Sequence, residues 1–194
     1  DKLTHAGLYG VDTSIKSVEA LLDIKIDYYG KVNFTTLVEL INALGGITVD
    51  NPTAFQSSGG VYYFPQGKVE MDGDMALAFS RERYNLEEGD FDRGKNHTRV
   101  LTGIIRKMLS TEMLLNFNQI ADIALESVNT DVPYEKMIEL VNKQLADGGE
   151  WQIESEALKG KGTMDLDSYL MPNARLYMMV PSKDSIEKIH NNIV

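Results

Sequence analysis

Apolar residues first recur at helical spacing in TSIKSVEALL (13–22), where Ile15, Val18, Leu21 and Leu22 share a face behind the capping candidates Asp12, Thr13 and Ser14. The period then changes. In IKIDYYGKV (24–32), Ile24, Ile26 and Tyr28 alternate with other positions, the pattern of a half-buried strand. Asn33 is placed to cap a second helix, FTTLVELINAL (34–44), with Phe34, Leu37, Val38, Ile41 and Leu44 on its apolar face. Gly45 and Gly46 stop it, because glycine takes the left-handed conformation at little steric cost. ITV (47–49) predicts a short strand. Residues 13–49 thus alternate helix and strand, the rhythm of an α/β sheet with helices packed on it.

Residues 50–73 hold Pro52, Gly59, Gly60, Pro65 and Gly67 around the aromatic run VYYF (61–64), which predicts a loop-rich excursion with a hairpin. DMALAFS (74–80) predicts a short helix capped by Asp72 or Asp74. RERYNLEEGDFDRGKNH has no apolar period and predicts a long loop; a helix follows from about Asp92 or Arg93, with Val100, Leu101, Ile104, Ile105 and Met108 on its apolar face. Two more helical patterns occupy 112–128 (Leu115, Ile120, Ile123, Ala124, Val128) and 134–146 (Met137, Leu140, Val141, Leu145), the second with Pro133 near its start. After the break DGGE, strands are expected at 151–158 and 176–181, with Trp151 in the core. A closing helix over 182–194 rests on Ile186, Ile189 and Ile193 and turns His190 to solvent. KLTHAGLYG (2–10) reads as a loop.

Composition narrows the function classes. A length of 194 residues with 43% hydrophobic positions suits one domain with an ordinary core. The formal net charge of -10 opposes a generic nucleic-acid binder, which needs a basic face. Zero cysteines exclude disulfides, thiolate zinc sites and cysteine nucleophiles. No apolar run of about 18 residues is present, so no stretch of this sequence is expected to span a membrane. The opening residue is Asp1 rather than Met, so the chain is expected to be a piece of a longer protein.

Against this acidic background the arginines are clustered. The chain has six, Arg81, Arg83, Arg93, Arg99, Arg106 and Arg175, and five fall within residues 81–106, where chance would place fewer than one. Arginine offers a rigid fork of donors that matches phosphate or carboxylate oxygens two at a time. Two readings stand. Glu82, Glu87, Glu88, Asp90 and Asp92 share the segment, so the arginines can be paired internally on a salt-bridged surface loop. Alternatively they form an anion clamp. Arg81 and Arg83, two apart in extended chain, would point to one side. Arg93 would sit in the first turn of a helix, whose N-terminus suits a phosphate, with His97 one turn on and facing the same way.

The string MDGDMALAFSRERYNLEEGDFDRGKNHTRVLTGIIRKM (71–108) resembles the signature of the LytR-CpsA-Psr family: a glycine and "AL" helix, R-x-R, a variable loop, D-x-x-R-x-x-x-Q and an amphipathic helix. KLTHAGLYG (2–10) and NFTTLVELINALGGITVDNP (33–52) are also similar to family segments, and GTMDLDSYLMPNARLYM (162–178) is similar to capsule-type members. The resemblance implies an α/β (α+β) fold, a central mixed β-sheet flanked by several helices and lacking its first strands. It would be one domain over 1–194, with the core motifs in 1–110 and further helices and strands in 111–194. A strand edge left exposed or re-paired is expected.

The resemblance also implies a function. Such a protein is a membrane-anchored phosphotransferase on the extracellular face of the cytoplasmic membrane of a Gram-positive bacterium. It attaches a glycan, capsular polysaccharide or similar, from a polyprenyl-pyrophosphate carrier to peptidoglycan. Arg81, Arg83 and Arg93 match the positions that bind the pyrophosphate. Asp90 matches an acidic position that orients an arginine or assists proton removal. His97 stands where the family usually has glutamine, and would add to the clamp when charged. The divalent metal, Mg, would take its ligands mostly upstream of Lys2, so the fragment alone is expected to be inactive. Two other readings are an envelope-associated regulator of capsule expression and a module that binds the lipid-linked polymer without turnover. The apolar faces of 34–44 and 95–108 would either wall a prenyl slot or simply form core.

Overall fold

A computed structural model describes residues 1–87, 89–117, 128–148 and 153–194, and of Asp90 the backbone alone. A 3-10 turn, Leu3–Tyr9, occupies the segment read as a loop and leads into α1 (Val11–Leu22). There follow β1 (Gly30–Lys31), α2 (Phe34–Ala43), β2 (Ile47–Asn51), β3 (Phe55–Gln56), β4 (Tyr63–Phe64), β5 (Gly67–Met71), α3 (Gly73–Arg81), α4 (Asp90–Met108) and α5 (Thr111–Leu115). The chain continues through β6 (Asn129–Thr130), α6 (Tyr134–Asp147), β7 (Gly160–Thr163), β8 (Met178–Pro181) and α7 (Lys183–Ile193). The class is mixed α/β, as expected. Its strands form two-stranded antiparallel ladders, β1 with β6, β2 with β5, β3 with β4 and β7 with β8.

Two compact units result, Tyr28–Ile153 and the pair of segments Asp1–Asp27 with Glu154–Val194. In the larger unit the local signals act as read. Asn33 accepts from the Thr36 N–H while the Thr36 hydroxyl accepts from the Asn33 N–H, a reciprocal cap that starts α2. Asp72 accepts from the Met75 N–H and starts α3. Strand β2 alternates, burying Ile47, Val49 and Asn51, and pairs in register from Ile47 with Met71 to Asn51 with Gly67. The core joins Leu40, Ile41 and Leu44 of α2 to Ile47 and Val49, to Phe55, Phe64 and Phe79, and to Val100 and Ile104 of α4. The three phenylalanine rings lie 5.0 to 5.2 Å apart in tilted and edge contacts. Backbones meet closely at two glycines. A Cβ on Gly73 would stand 2.4 Å from the Val38 carbonyl oxygen, and one on Gly103 would stand 3.0 Å from that of Thr48. Those contacts seat α3 against α2 and α4 against β2.

Several expectations are corrected. Residues 24–29 form no strand, although Ile24 and Ile26 are half-buried between exposed neighbours. Their amides are taken elsewhere: Ile26 N–H donates to the Glu19 carboxylate (3.0 Å) and Tyr29 N–H to that of Asp131 (2.8 Å). On α4, Leu101, Ile105 and Met108 are exposed, so only Val100 and Ile104 of the predicted face reach the core. On α2, Phe34 is 59% exposed, whereas Leu40, which the predicted face omitted, is buried. The described part of the 112–128 helix is α5, where Leu115 is exposed; Ile120, Ile123 and Ala124 lie outside the described residues, as does Trp151. Residues 153–159 have no ladder partner among the described residues.

In the smaller unit β7 and β8 pair from Gly160 with Pro181 to Thr163 with Met178. Ser182 caps α7 by accepting from the Ser185 N–H. His190 does not face open solvent: its Nδ1 lies 2.9 Å from the Leu22 carbonyl oxygen at the end of α1, and the ring is half-buried. Ser168, 2% exposed, donates to the Asp1 carboxylate and accepts from the Met171 N–H.

Candidate functional site

The arginine segment is a connection between two packed helices of the larger unit. Arg81 is the last residue of α3, and Glu82 leaves the helix in extended conformation (φ -62°, ψ 138°). Residues 83–87 turn without forming a strand, and α4 begins at Asp90, two residues earlier than the sequence indicated. The predicted extended run from Arg81 to Arg83 is therefore confined to Glu82. Both arginines are nevertheless exposed. The Arg81 guanidinium lies 4.9 Å from the centre of the Phe34 ring, the first residue of α2, and that of Arg83 lies 6.0 Å from the Tyr84 ring. Among the described residues no carboxylate is within ion-pair distance of Arg81.

The segment folds back on the start of α4. Gly89, the N-cap, has φ 54°, and a Cβ there would lie 3.8 Å from the Arg83 carbonyl oxygen. Arg93 sits in the first turn, its N–H closing on the Gly89 carbonyl (3.1 Å), and it is half-buried. His97 is one turn further along and exposed. Asp90 heads the helix, with its side chain outside the described residues. The structure thus brings the Arg83 backbone to the N-terminal end of the helix that carries Arg93 and His97.

Two residues hold this arrangement that the sequence reading did not single out. Glu82, grouped there with the ion-pairing acids, is 2% exposed and bonded to amides instead. Its Oε1 accepts from the N–H groups of Arg83 (3.0 Å), Tyr84 (2.9 Å) and Asn85 (3.0 Å) and from the Ser58 hydroxyl (3.0 Å); its Oε2 accepts from the Ser58 N–H. Burial by itself raises its pKa, but the hydrogen bonds from Asn85, Ser58 and Arg83 outweigh it and the net value is lowered. Asn96, also 2% exposed, donates to the Phe79 carbonyl at the end of α3 (3.2 Å) and accepts from Arg99 (2.7 Å). Desolvation pulls the Arg99 pKa below the usual arginine value, opposed by the Asp92 carboxylate. An acid between two arginines, and an asparagine one turn before an arginine, were the available signals.

Three further acids of this unit have local partners. Asp92 pairs with Lys95 (2.9 Å), Asp50 with Arg106 (3.4 Å), and Asp72 caps α3. Among the described residues no three of His, Asp and Glu converge as metal donors, and no chemical step is derived through a divalent ion. No helix among them is long and apolar enough to cross a membrane.

The chain is 34% identical over 165 residues to a polyisoprenyl-teichoic acid–peptidoglycan teichoic acid transferase TagU of Enterococcus faecalis, covering 84% of this chain and 53% of the relative. It is 32% identical to the TagU of Halalkalibacterium halodurans, covering 95% of this chain and 58% of the relative. The chain therefore spans little more than half the length of these curated relatives. The crystal structure of Bacillus subtilis TagV superposes with a TM-score of 0.79 at 29% identity, covering 99% of this chain and 72% of TagV. Residues 1–193 match the LytR_cpsA_psr family profile, and the chain belongs to that family.

Proposed function

We propose that this chain acts in transferring a polyprenyl-pyrophosphate-linked glycan to peptidoglycan, with Arg81, Arg83 and Arg93 binding the pyrophosphate. The observation that carries the reading is Arg81: an exposed guanidinium stacked on Phe34 with no carboxylate partner among the described residues. An arginine held by a ring and not by an acid keeps its donors available for an incoming anion. The reading is also supported by the relatives, which carry the name of teichoic acid transferases. Capsular polysaccharide is the polymer we propose, on the resemblance of residues 162–178 to capsule-type members. The place of action is the cell envelope, on the outer face of an anchoring membrane.

In the reaction an acceptor hydroxyl oxygen bonds to the glycan-side phosphorus, the bridging P–O bond breaks, and polyprenyl phosphate leaves with the electron pair. Negative charge is carried by the bridging oxygen as it leaves and by the non-bridging oxygens of the transferred phosphoryl group, and guanidinium donors placed there neutralise it. The hydroxyl proton goes to a general base, for which Asp90 at the head of α4 is our candidate. His97 on the same helix, when protonated, adds a second cationic donor. The outward stripe Leu101, Ile105 and Met108, the first of them eight residues along α4 from Arg93 or about 12 Å, offers apolar surface of the kind a prenyl chain needs.

Titration with farnesyl pyrophosphate tests this reading. Arg81→Ala, Arg83→Ala and Arg93→Ala should each weaken binding about tenfold or more, the loss expected of a charge-assisted hydrogen bond. Unchanged affinity in all three variants overturns it.

A further inference from the structure

We infer that Glu82 is a positioning residue for Arg83, its buried carboxylate fixing the turn from which that guanidinium is presented to the pyrophosphate. The inference rests on the reading proposed above, that Arg83 is a pyrophosphate ligand.

A carboxylate that is 2% exposed is costly to bury unless donors replace its water. Here five do, and none is an arginine side chain. Three are the consecutive N–H groups of Arg83, Tyr84 and Asn85, so the backbone wraps around a single oxygen. The Arg83 N–H is one of the three, which fixes where that side chain leaves the main chain. The two donors from Ser58 tie the turn to the hairpin of β3 and β4, and the Asn85 side chain adds a bond to the Gln56 carbonyl (3.0 Å). The same turn lays the Arg83 carbonyl beside Gly89 at the head of α4.

Side-chain direction follows. With Glu82 extended and pointing inward, the next side chain is turned outward, and Arg83 is exposed.

The test is farnesyl pyrophosphate binding by the full chain in a four-member cycle: wild type, Glu82→Gln, Arg83→Ala and the double variant. Glutamine keeps one acceptor oxygen for the three amides but sets an NH2 group against the Ser58 N–H, so it loosens the turn while preserving volume. We expect Glu82→Gln to weaken binding about tenfold in the wild-type background and less than twofold when Arg83 is already alanine, with circular dichroism unchanged. An equal loss in both backgrounds overturns the inference and leaves the arginine site standing, because a merely structural role is blind to Arg83. No loss on Arg83→Ala alone removes Arg83 from the site and overturns this inference, while the arginine site as a whole falls only if Arg81→Ala and Arg93→Ala are silent too. Should Glu82→Gln fail to fold, Ser58→Ala removes only the hydroxyl donor, and the same dependence on Arg83, at a threefold loss, decides the matter.

Discussion

At the scale of single residues, Arg81 and Arg83 share a short segment yet are held by different means. Arg81 belongs to the last turn of α3 and stacks on Phe34; Arg83 is placed by the main chain around Glu82. Glu82 also makes stability depend on pH. Its folded pKa lies below the ordinary glutamate value of 4.5. A depressed carboxyl contributes stability that is fully present above the unfolded value and is lost as pH falls through the folded one. Melting temperature measured as pH is lowered from about 5 should therefore fall more steeply in wild type than in Glu82→Gln, and parallel curves would show that the carboxylate contributes nothing. The sequence displayed both arginines plainly, since charge and spacing are local properties. Glu82 looked like one acid among several, because its destination depends on Ser58, 24 positions away in the chain.

At the scale of elements, the packing of α3 on α2 depends on the lack of a side chain at Gly73. Alanine there would bring a Cβ to 2.4 Å from the Val38 carbonyl oxygen, and the helices would have to separate. Gly73→Ala should destabilise by about 1–3 kcal/mol, as overpacking does. Gly94 in α4 is the control: a Cβ there meets nothing within 4 Å, and Gly94→Ala should stabilise by up to about 1 kcal/mol. Denaturant midpoints that move in the same direction for both would refute the argument. Elements were legible where their signals were local. The Asn33 and Asp72 caps and the short strand at 47–49 appear as read. Residues 24–29 mislead because alternation reports burial, while a strand also needs a partner for its amides, and here Glu19 and Asp131 supply it. On α4 the predicted face was too wide, since periodicity cannot tell that only Val100 and Ile104 would meet the core.

At the scale of the whole molecule, a net charge of -10 surrounds a local group of arginines. Polyanions approach against the global field and are held only by the local one, so selectivity favours a compact charged group over a long charged polymer. Farnesyl pyrophosphate binding should weaken as salt is raised from about 50 to 500 mM, because the contacts are exposed and screened. Duplex DNA at physiological salt should not bind; a filter-binding signal would instead favour a regulatory role.

The turn after α3 has a consequence for how the molecule breathes. The amides of Arg83, Tyr84 and Asn85 lie outside any helix or ladder, where hydrogen exchange with solvent is ordinarily fast. Each is nevertheless locked onto a buried anion. They should exchange with deuterium as slowly as helical amides and lose that protection together when the carboxylate is neutralised, so that an irregular segment reports by its protons whether Arg83 is in place.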